Sequence, residues 1–167
     1  MAQYDGKIEL SELKRQLNYD QTTGKFTWKV AKKSFSDIGK EAGWLHKIFG
    51  YRIIKVNQYP FRAGRLVWFY MTATWPTDEI DHINGKRDDD RFCNLRDVTH
   101  AINTQNKRKA QSSNKLGIQG VRWRNGAFET GLKLNGEKIA IGRYKTPEEA
   151  HEAYLVAKRK HHIGCTI

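Results

Sequence analysis

Asp81, His82, Asn94 and Asn103 are the residues of this chain whose types and spacing could do chemistry together. They fall in the segment Asp81-His-Ile-Asn-Gly-Lys-Arg-Asp-Asp-Asp-Arg-Phe-Cys-Asn94-Leu-Arg-Asp-Val-Thr-His-Ala-Ile-Asn103-Thr-Gln-Asn106. Hydrolysing a phosphodiester needs an activated water and relief of charge on the phosphate and on the leaving oxygen. A histidine titrates close to working pH and can take the proton, so His82 is the candidate base. A hard divalent cation held by one or two protein oxygens keeps its other positions for water and phosphate. Asp81 and the side-chain oxygen of Asn103 suit such an ion. Asn94 carries both donor and acceptor groups and can pin a loop and aim the imidazole.

The elements that must position these groups follow from the flanking pattern. Asp81-His82 closes an apolar-flanked extended stretch, and Asn84-Gly85 opens a polar loop. Leu95–Thr99 predicts a second strand, and Thr99 can cap a helix carrying Ile102, Asn103 and Asn106. Upstream, Leu10, Leu13 and Leu17 recur at helical spacing, Asp20 to Gly24 reads as a turn, and Phe26-Thr-Trp28 as a short strand. Tyr51 to Asn57 has the aromatic and β-branched content of another strand. The apolar run Arg65 to Met71 reads as a buried helix, although its periodicity also admits a strand.

Composition changes at Lys107. Lys107 to Lys115 has no large apolar residue and reads as a linker. Three short strands follow, roughly Gly120–Arg124, Phe128–Leu134 and Lys138–Tyr144, then a helix over Thr146–His161. Asn135-Gly136 is a two-residue hairpin signal. Thr146 can N-cap the helix, Pro147 suits its first turn, and Glu149 completes a capping box. Ala150, Ala153, Tyr154 and Ala157 share a face that lets the helix pack closely on the sheet. Lys158, Arg159 and Lys160 fall in the last turn, where the helix dipole favours cations.

Thirty Lys/Arg against eighteen Asp/Glu give a net charge of +12 in 167 residues. A surplus of that size points to a polyanionic partner, because neutralising phosphates releases counterions. Residues 107–167 hold 13 Lys/Arg and 5 Asp/Glu, a net of +8, so the shorter segment carries most of the excess. Hydrophobic residues are only 38%, which leaves room for a modest core and a small second module. No apolar run approaches the ~20 residues of a membrane span, and the first residues lack a signal-peptide pattern. Cys93 and Cys165 form no C-x-x-C pair, so a zinc site or disulfide framework is not expected. These features read as a soluble protein of a reducing cytoplasm.

The chemical segment resembles the HNH family, specifically the phage and intron-associated homing endonucleases. Asp81-His82-x-x-Gly85, Asn94-Leu95-Arg96, Val98-Thr99 and Asn103-x-x-Asn106 carry the likeness. His82 and Asn94 stand twelve positions apart and Asn94 and Asn103 nine, similar to the His-Asn-Asn form of that motif. Tyr19-Asp-x-x-Thr-Gly24-x-Phe-Thr-Trp28, Gly50-Tyr51-Arg52 and Arg65-Leu66 look like the family's lead-in. Where members often carry His before that Arg-Leu pair, this chain has Gly64. The resemblance implies a ββα-metal fold with His82 as general base, Asp81 and Asn103 on a divalent metal (Mg²⁺ ahead of Mn²⁺), and Asn94 structural.

The C-terminal residues resemble an AP2-type DNA-binding domain through Gly120-Val121-Arg122-Trp123-Arg124, Gly136, Gly142, Thr146-x-Glu148-Glu149-Ala150 and Ala153-Tyr154. This implies a three-stranded sheet in the major groove, with Gln119, Arg122, Arg124, Lys133 and Lys138 as contacts. Gly131 and Ala140 stand where plant members tend to carry larger side chains, so a base preference does not transfer.

Together these readings give an α+β chain. Residues 1–106 form a nuclease domain with its ββα-metal core at about 78–106, residues 107–116 a basic linker, and residues 117–167 a three-stranded antiparallel sheet packed on one helix. The implied function is metal-dependent hydrolysis of a DNA phosphodiester, of homing or nicking type and at a preferred site. The chain would act as a monomer on double-stranded DNA, in the cytoplasm of a bacterial or phage-infected cell. Two other readings compete: a DNA-binding protein with a degenerate HNH domain, and an RNA-binding or translation-associated basic protein. Several residues get blander expectations. Asp88-Asp89-Asp90 reads as a solvated acidic loop, and His100, His161 and His162 as surface residues. Trp28, Trp44, Trp68 and Trp75 read as core, and Trp123 fits either a core or a base-stacking position.

Overall fold

The computed structural model describes residues 4–31, 34–134 and 136–166. The chain divides into two compact units, Met1–Thr99 and His100–Ile167. The division falls ahead of the helix that carries Asn103, whereas the composition shift lies at Lys107. The four sheets among the described residues are small and antiparallel, in a mixed α and β chain.

The first unit runs α1 (Leu10–Gln16), β1 (Leu17–Asp20), β2 (Lys25–Trp28), β3 (Trp44–Leu45), β4 (Arg52–Val56), β5 (Tyr59–Arg62), α2 (Ala63–Thr72), β6 (Glu79–His82) and β7 (Leu95–Val98). Its sheets are β1-β2, β3-β4-β5 and β6-β7. The core gathers Leu13, Leu17, Phe26, Ile54, Val56, Leu66, Val67 and Leu95, with Trp28, Trp68 and Trp75 packed against it. The run after Arg65, ambiguous between helix and strand by periodicity, is the helix α2. It buries Leu66, Val67 and Phe69 on the core side. Arg65 is buried within it and is satisfied by Asp5 and by the carbonyls of Asp78 and Pro76, at 2.7 and 3.1 Å. The β4–β5 hairpin turns through Asn57 and Gln58, both with positive φ (46° and 71°). That geometry matches the right-handed twist of the strands, and the Gln16 amide braces it through Asn57 Oδ1 at 2.7 Å.

Trp44 corrects the sequence expectation. The sequence places it in the core, yet it is 50% exposed. Strand β3 has two residues and pairs only with β4 at the sheet edge, so no second layer covers it.

The second unit runs α3 (His100–Gln105), β8 (Val121–Arg124), β9 (Ala127–Leu134), β10 (Glu137–Tyr144) and α4 (Pro147–His161), with strand order β10-β9-β8. The capping box at the start of α4 is formed. Thr146 Oγ1 accepts from Glu149 N at 3.2 Å, and Glu149 Oε2 accepts from Thr146 N at 3.3 Å. Val121, Thr130, Leu132, Ala150 and Tyr154 are buried between sheet and helix. Leu134 pairs with Glu137 across the hairpin; Asn135 of the expected Asn-Gly turn lies outside the described residues.

Lys158 is the clearest departure in this unit. Placed by the sequence among the cations of the last turn, it is 1% exposed. Its ammonium donates to the Lys107 carbonyl at 2.7 Å and sits 5.7 Å from the Tyr154 ring. Burial lowers its pKa. The last turn of α4 is reached by the chain around Lys107, a contact that no pattern within the helix announces. His162, expected at the surface, is half-buried with Nε2 3.1 Å from the Lys133 carbonyl. His100 and His161 are exposed as expected.

Candidate active site

The site is organised by the antiparallel pair β6 and β7, in which Asp81 faces Arg96 and His82 faces Leu95. Opposite charges directly across a ladder attract, and Arg96 places both Nε and Nη2 on Asp81 Oδ2, at 2.9 and 2.7 Å. This fixes the carboxylate of a residue that is itself buried.

The loop between the strands is tied by side-chain hydrogen bonds. Asn94 Oδ1 accepts from Asn84 N at 2.9 Å, and Asn94 Nδ2 donates to Asn84 Oδ1 and to the Asp89 carbonyl, at 3.1 and 2.8 Å. Ile83 N donates to the Asn94 carbonyl and Gly85 N to the His82 carbonyl, closing the turn immediately after the histidine. Gly85 has φ +73°, a conformation that glycine adopts without a Cβ penalty. Asn84 Nδ2 donates to Asp89 Oδ2 at 2.6 Å, and Arg91 forks onto both oxygens of Asp89. Hydrogen bonds from Arg91, then from Asn84, hold the Asp89 carboxyl down at about 2.

Asp90 overturns the reading of a solvated acidic loop. It is 2% exposed, and its Oδ1 lies 2.9 Å from His82 Nε2, a residue only 5% exposed. Burial raises its pKa, while the histidine opposes that rise. Three features from far along the chain make room for this pair. Tyr19 donates its hydroxyl to the Asp90 carbonyl and accepts from Phe92 N, both at 2.9 Å. Burial pushes the Tyr19 phenol up to about 12. Gly24, at the tip of the β1–β2 turn, lies against the Asp90–Arg91 backbone, where a Cβ would stand 2.4 Å from Arg91 N. Gly64 faces the pair itself: a Cβ there would stand 3.1 Å from Asp90 Oδ1 and 3.6 Å from His82 Cε1. The small residue noted in the sequence thus borders the histidine–aspartate pair. Asp90 had no distinguishing signal, since two further aspartates precede it and burial is decided by β1, β2 and α2.

Residues 62–105 match the HNH endonuclease family model. The HNH segment therefore covers Arg62 to Gln105, from α2 through β6, the loop and β7 to α3. A domain of this family suggests nuclease activity on DNA, and HNH nucleases generally use divalent metal ions. No curated protein and no solved structure matches the chain. Asp81, His82 and Asn94 of the HNH segment lie together in the first unit. Asn103 lies half-buried on α3, in the second.

The residues expected to meet DNA lie in the second unit. Arg122 and Arg124 alternate with buried Val121 on β8, and Lys133 faces Lys138 across β9 and β10. Around them Gly131 and Ala140 are opposite one another and exposed, so the middle of this face is low. Glu129 sits between two arginines, 3.2 Å from Arg122 Nη2 and 3.7 Å from Arg143 Nε. Arg143 was not singled out from the sequence. Gln119 is engaged elsewhere, donating to the Lys107 carbonyl at 2.6 Å. Trp123 is 56% exposed and meets Phe128 edge-on. No helix among the described residues is long and apolar enough to cross a membrane. The described residues contain no cluster of three His, Cys, Asp or Glu side chains that could hold a metal, and no disulfide joins Cys93 and Cys165.

The tied loop makes an acid-stability prediction. Asp89 sits at about 2 against an ordinary 3.8. A carboxylate depressed in this way stabilises the fold fully above about pH 5, and the gain fades as pH falls through both values. Asp89→Asn is expected to flatten the stability profile between those limits, read as the denaturant midpoint at successive pH values. Parallel profiles for parent and variant would show that the loop's ion pair carries no such gain.

Proposed function

We propose that this chain is a metal-dependent DNA endonuclease of the homing or nicking type, cutting at a preferred site. The observation that carries the reading is the Asp81-His82 pair at the end of β6, with its loop tied by Asn94, inside the HNH match. His82 takes the proton of the attacking water. Asn94 keeps the loop, and hence the imidazole, in place. Asp81 and Asn103 are the residues that would hold a divalent cation, most simply Mg²⁺. The donor chemistry fits: both offer hard oxygens, and Arg96 fixes the carboxylate plane without adding a soft ligand. Once bound, the cation supplies charge relief at the phosphate and the leaving oxygen.

Site preference is assigned to residues 117–167, an AP2-like module reading double-stranded DNA through Arg122 and Arg124, with Lys133 and Lys138 on phosphates. Its support is the +8 charge of residues 107–167 and the exposed cationic sheet face. Arginine reads guanine through two parallel hydrogen bonds, whereas lysine contacts phosphate as a point charge.

A second reading, a DNA-binding protein with an inactive HNH domain, is favoured by the burial of His82 and the engagement of its Nε2 by Asp90. Supercoiled plasmid separates the two. Incubation with Mg²⁺ is expected to give relaxed or linear DNA, and a chelator to prevent it. Plasmid left supercoiled in Mg²⁺ and in Mn²⁺ would assign the protein to the second reading.

A further inference from the structure

We propose that Arg62 and Arg87, gathered over the ring of Tyr51, form a phosphate clamp beside His82 that grips the DNA backbone at the reacting position. The proposal rests on the nuclease reading for its substrate, and on the first unit alone for its geometry.

Tyr51 connects the parts. Its ring centroid lies 5.8 Å from that of His82, tilted by 47°. The Arg62 guanidinium carbon lies 4.2 Å from the same ring centroid and that of Arg87 5.0 Å. An aromatic face attracts a cation and restricts where a flexible side chain can go. Two positive groups therefore share the ring that neighbours the candidate base. They arrive from different elements, Arg62 from the end of β5 and Arg87 from the loop after β6.

Their lack of carboxylate partners is what sets them apart. Arg52, Arg65, Arg91 and Arg96 reach Glu41, Asp5, Asp89 and Asp81 respectively. Among the described residues neither Arg62 nor Arg87 has such a partner. Arg62 is half-buried, and its Nε is buried without a hydrogen-bond acceptor. Arg87 donates one bond, from Nη1 to the Phe49 carbonyl at 3.0 Å, which anchors the side chain and leaves its remaining donors uncommitted. Leaving a buried donor unsatisfied costs free energy that a stable fold normally avoids. A planar fork of N–H groups matches the oxygens of a phosphate in pairs. Two such forks close to an imidazole suit a phosphodiester whose negative charge grows as water adds. Elsewhere in the unit the arginine charges are spent internally, whereas here they remain available to an anion.

The test uses the full chain and a DNA duplex in the presence of chelator, so that binding is read without cutting. Each phosphate contact contributes about one to the slope of log affinity against log salt concentration. Arg62→Ala and Arg87→Ala are each expected to reduce the slope by about one, equally on preferred and scrambled duplexes. Tyr51→Phe keeps the aromatic face and the parent slope. Tyr51→Leu releases both guanidiniums and lowers the slope. Thermal melting of each variant guards against unfolding, and exposed Arg87 provides the clean case if Arg62→Ala does not fold. Slopes unchanged in both arginine variants overturn the clamp, even if the parent cuts DNA. Reduced slopes in a parent that cuts nothing would retain the clamp and overturn the nuclease reading.

Discussion

Replacing His82 by alanine is expected to leave duplex binding nearly intact and to slow cleavage by ~10²-fold or more, the scale of a lost general base. The structure adds a condition to this experiment. His82 is the side-chain partner that meets Asp90 Oδ1, and Asp90 is 2% exposed. Removing one member of a buried pair leaves the other in a low-dielectric site, at a cost of roughly 3–5 kcal/mol. A stability loss could therefore be mistaken for a catalytic one. His82→Ala combined with Asp90→Asn removes the stranded charge, since a neutral amide costs less to bury. If cleavage falls in the double variant while its melting temperature stays near the parent's, the histidine is doing chemistry. Cleavage at the parent rate in either variant would sink the assignment of His82 as base.

The second large effect is expected on the cationic sheet. Arg122→Ala with Arg124→Ala should weaken binding to the preferred duplex by ~1–3 kcal/mol for each arginine that reads a guanine, and weaken a scrambled duplex less. Lys133→Ala should weaken both alike, because a phosphate contact carries no base information. Point substitutions serve better here than deleting the C-terminal segment. Gly164 N donates to Gln105 Oε1 at 2.8 Å, and Thr166 bonds to Asn106, so α3 depends on the chain end for its surroundings. A fragment ending near Arg108 keeps the motif's residues but strips α3 of those partners. The Arg122 change also frees one side of Glu129, which Arg143 still approaches at 3.7 Å. Competition binding with preferred and scrambled duplexes measures the effect. An equal loss on both would show that the arginines contact backbone and do not read bases.

Much of the secondary structure was legible because its signals are local. Thr146, Pro147 and Glu149 specify the start of α4 within four positions, and the structure forms that capping box. Val121, Thr130 and Leu132 alternate with polar neighbours and face inward as a period of two requires. The spacing of Asp81, His82 and Asn94 was visible for the same reason, since β6, one loop and β7 join them directly.

What a charged residue meets across the fold was not legible. Asp90 looks like its neighbours Asp88 and Asp89 in the sequence, but Tyr19, Gly24 and Gly64 converge on its loop from three other elements. Lys158 looks like the adjacent Arg159 and Lys160, but the Lys107 carbonyl reaches it from 51 residues away. Arg62 and Arg87 drew no notice because nothing near them in the chain indicates that both meet Tyr51. The sequence by itself determined the start of α4, the strands of the second unit and the residue types available for phosphodiester chemistry, because capping and alternation act over a few residues. Only the tertiary structure decided which charges are neutralised, which are buried and which stay open to an anion. Those outcomes depend on desolvation and partner geometry, and both are set by elements brought together from distant parts of the chain.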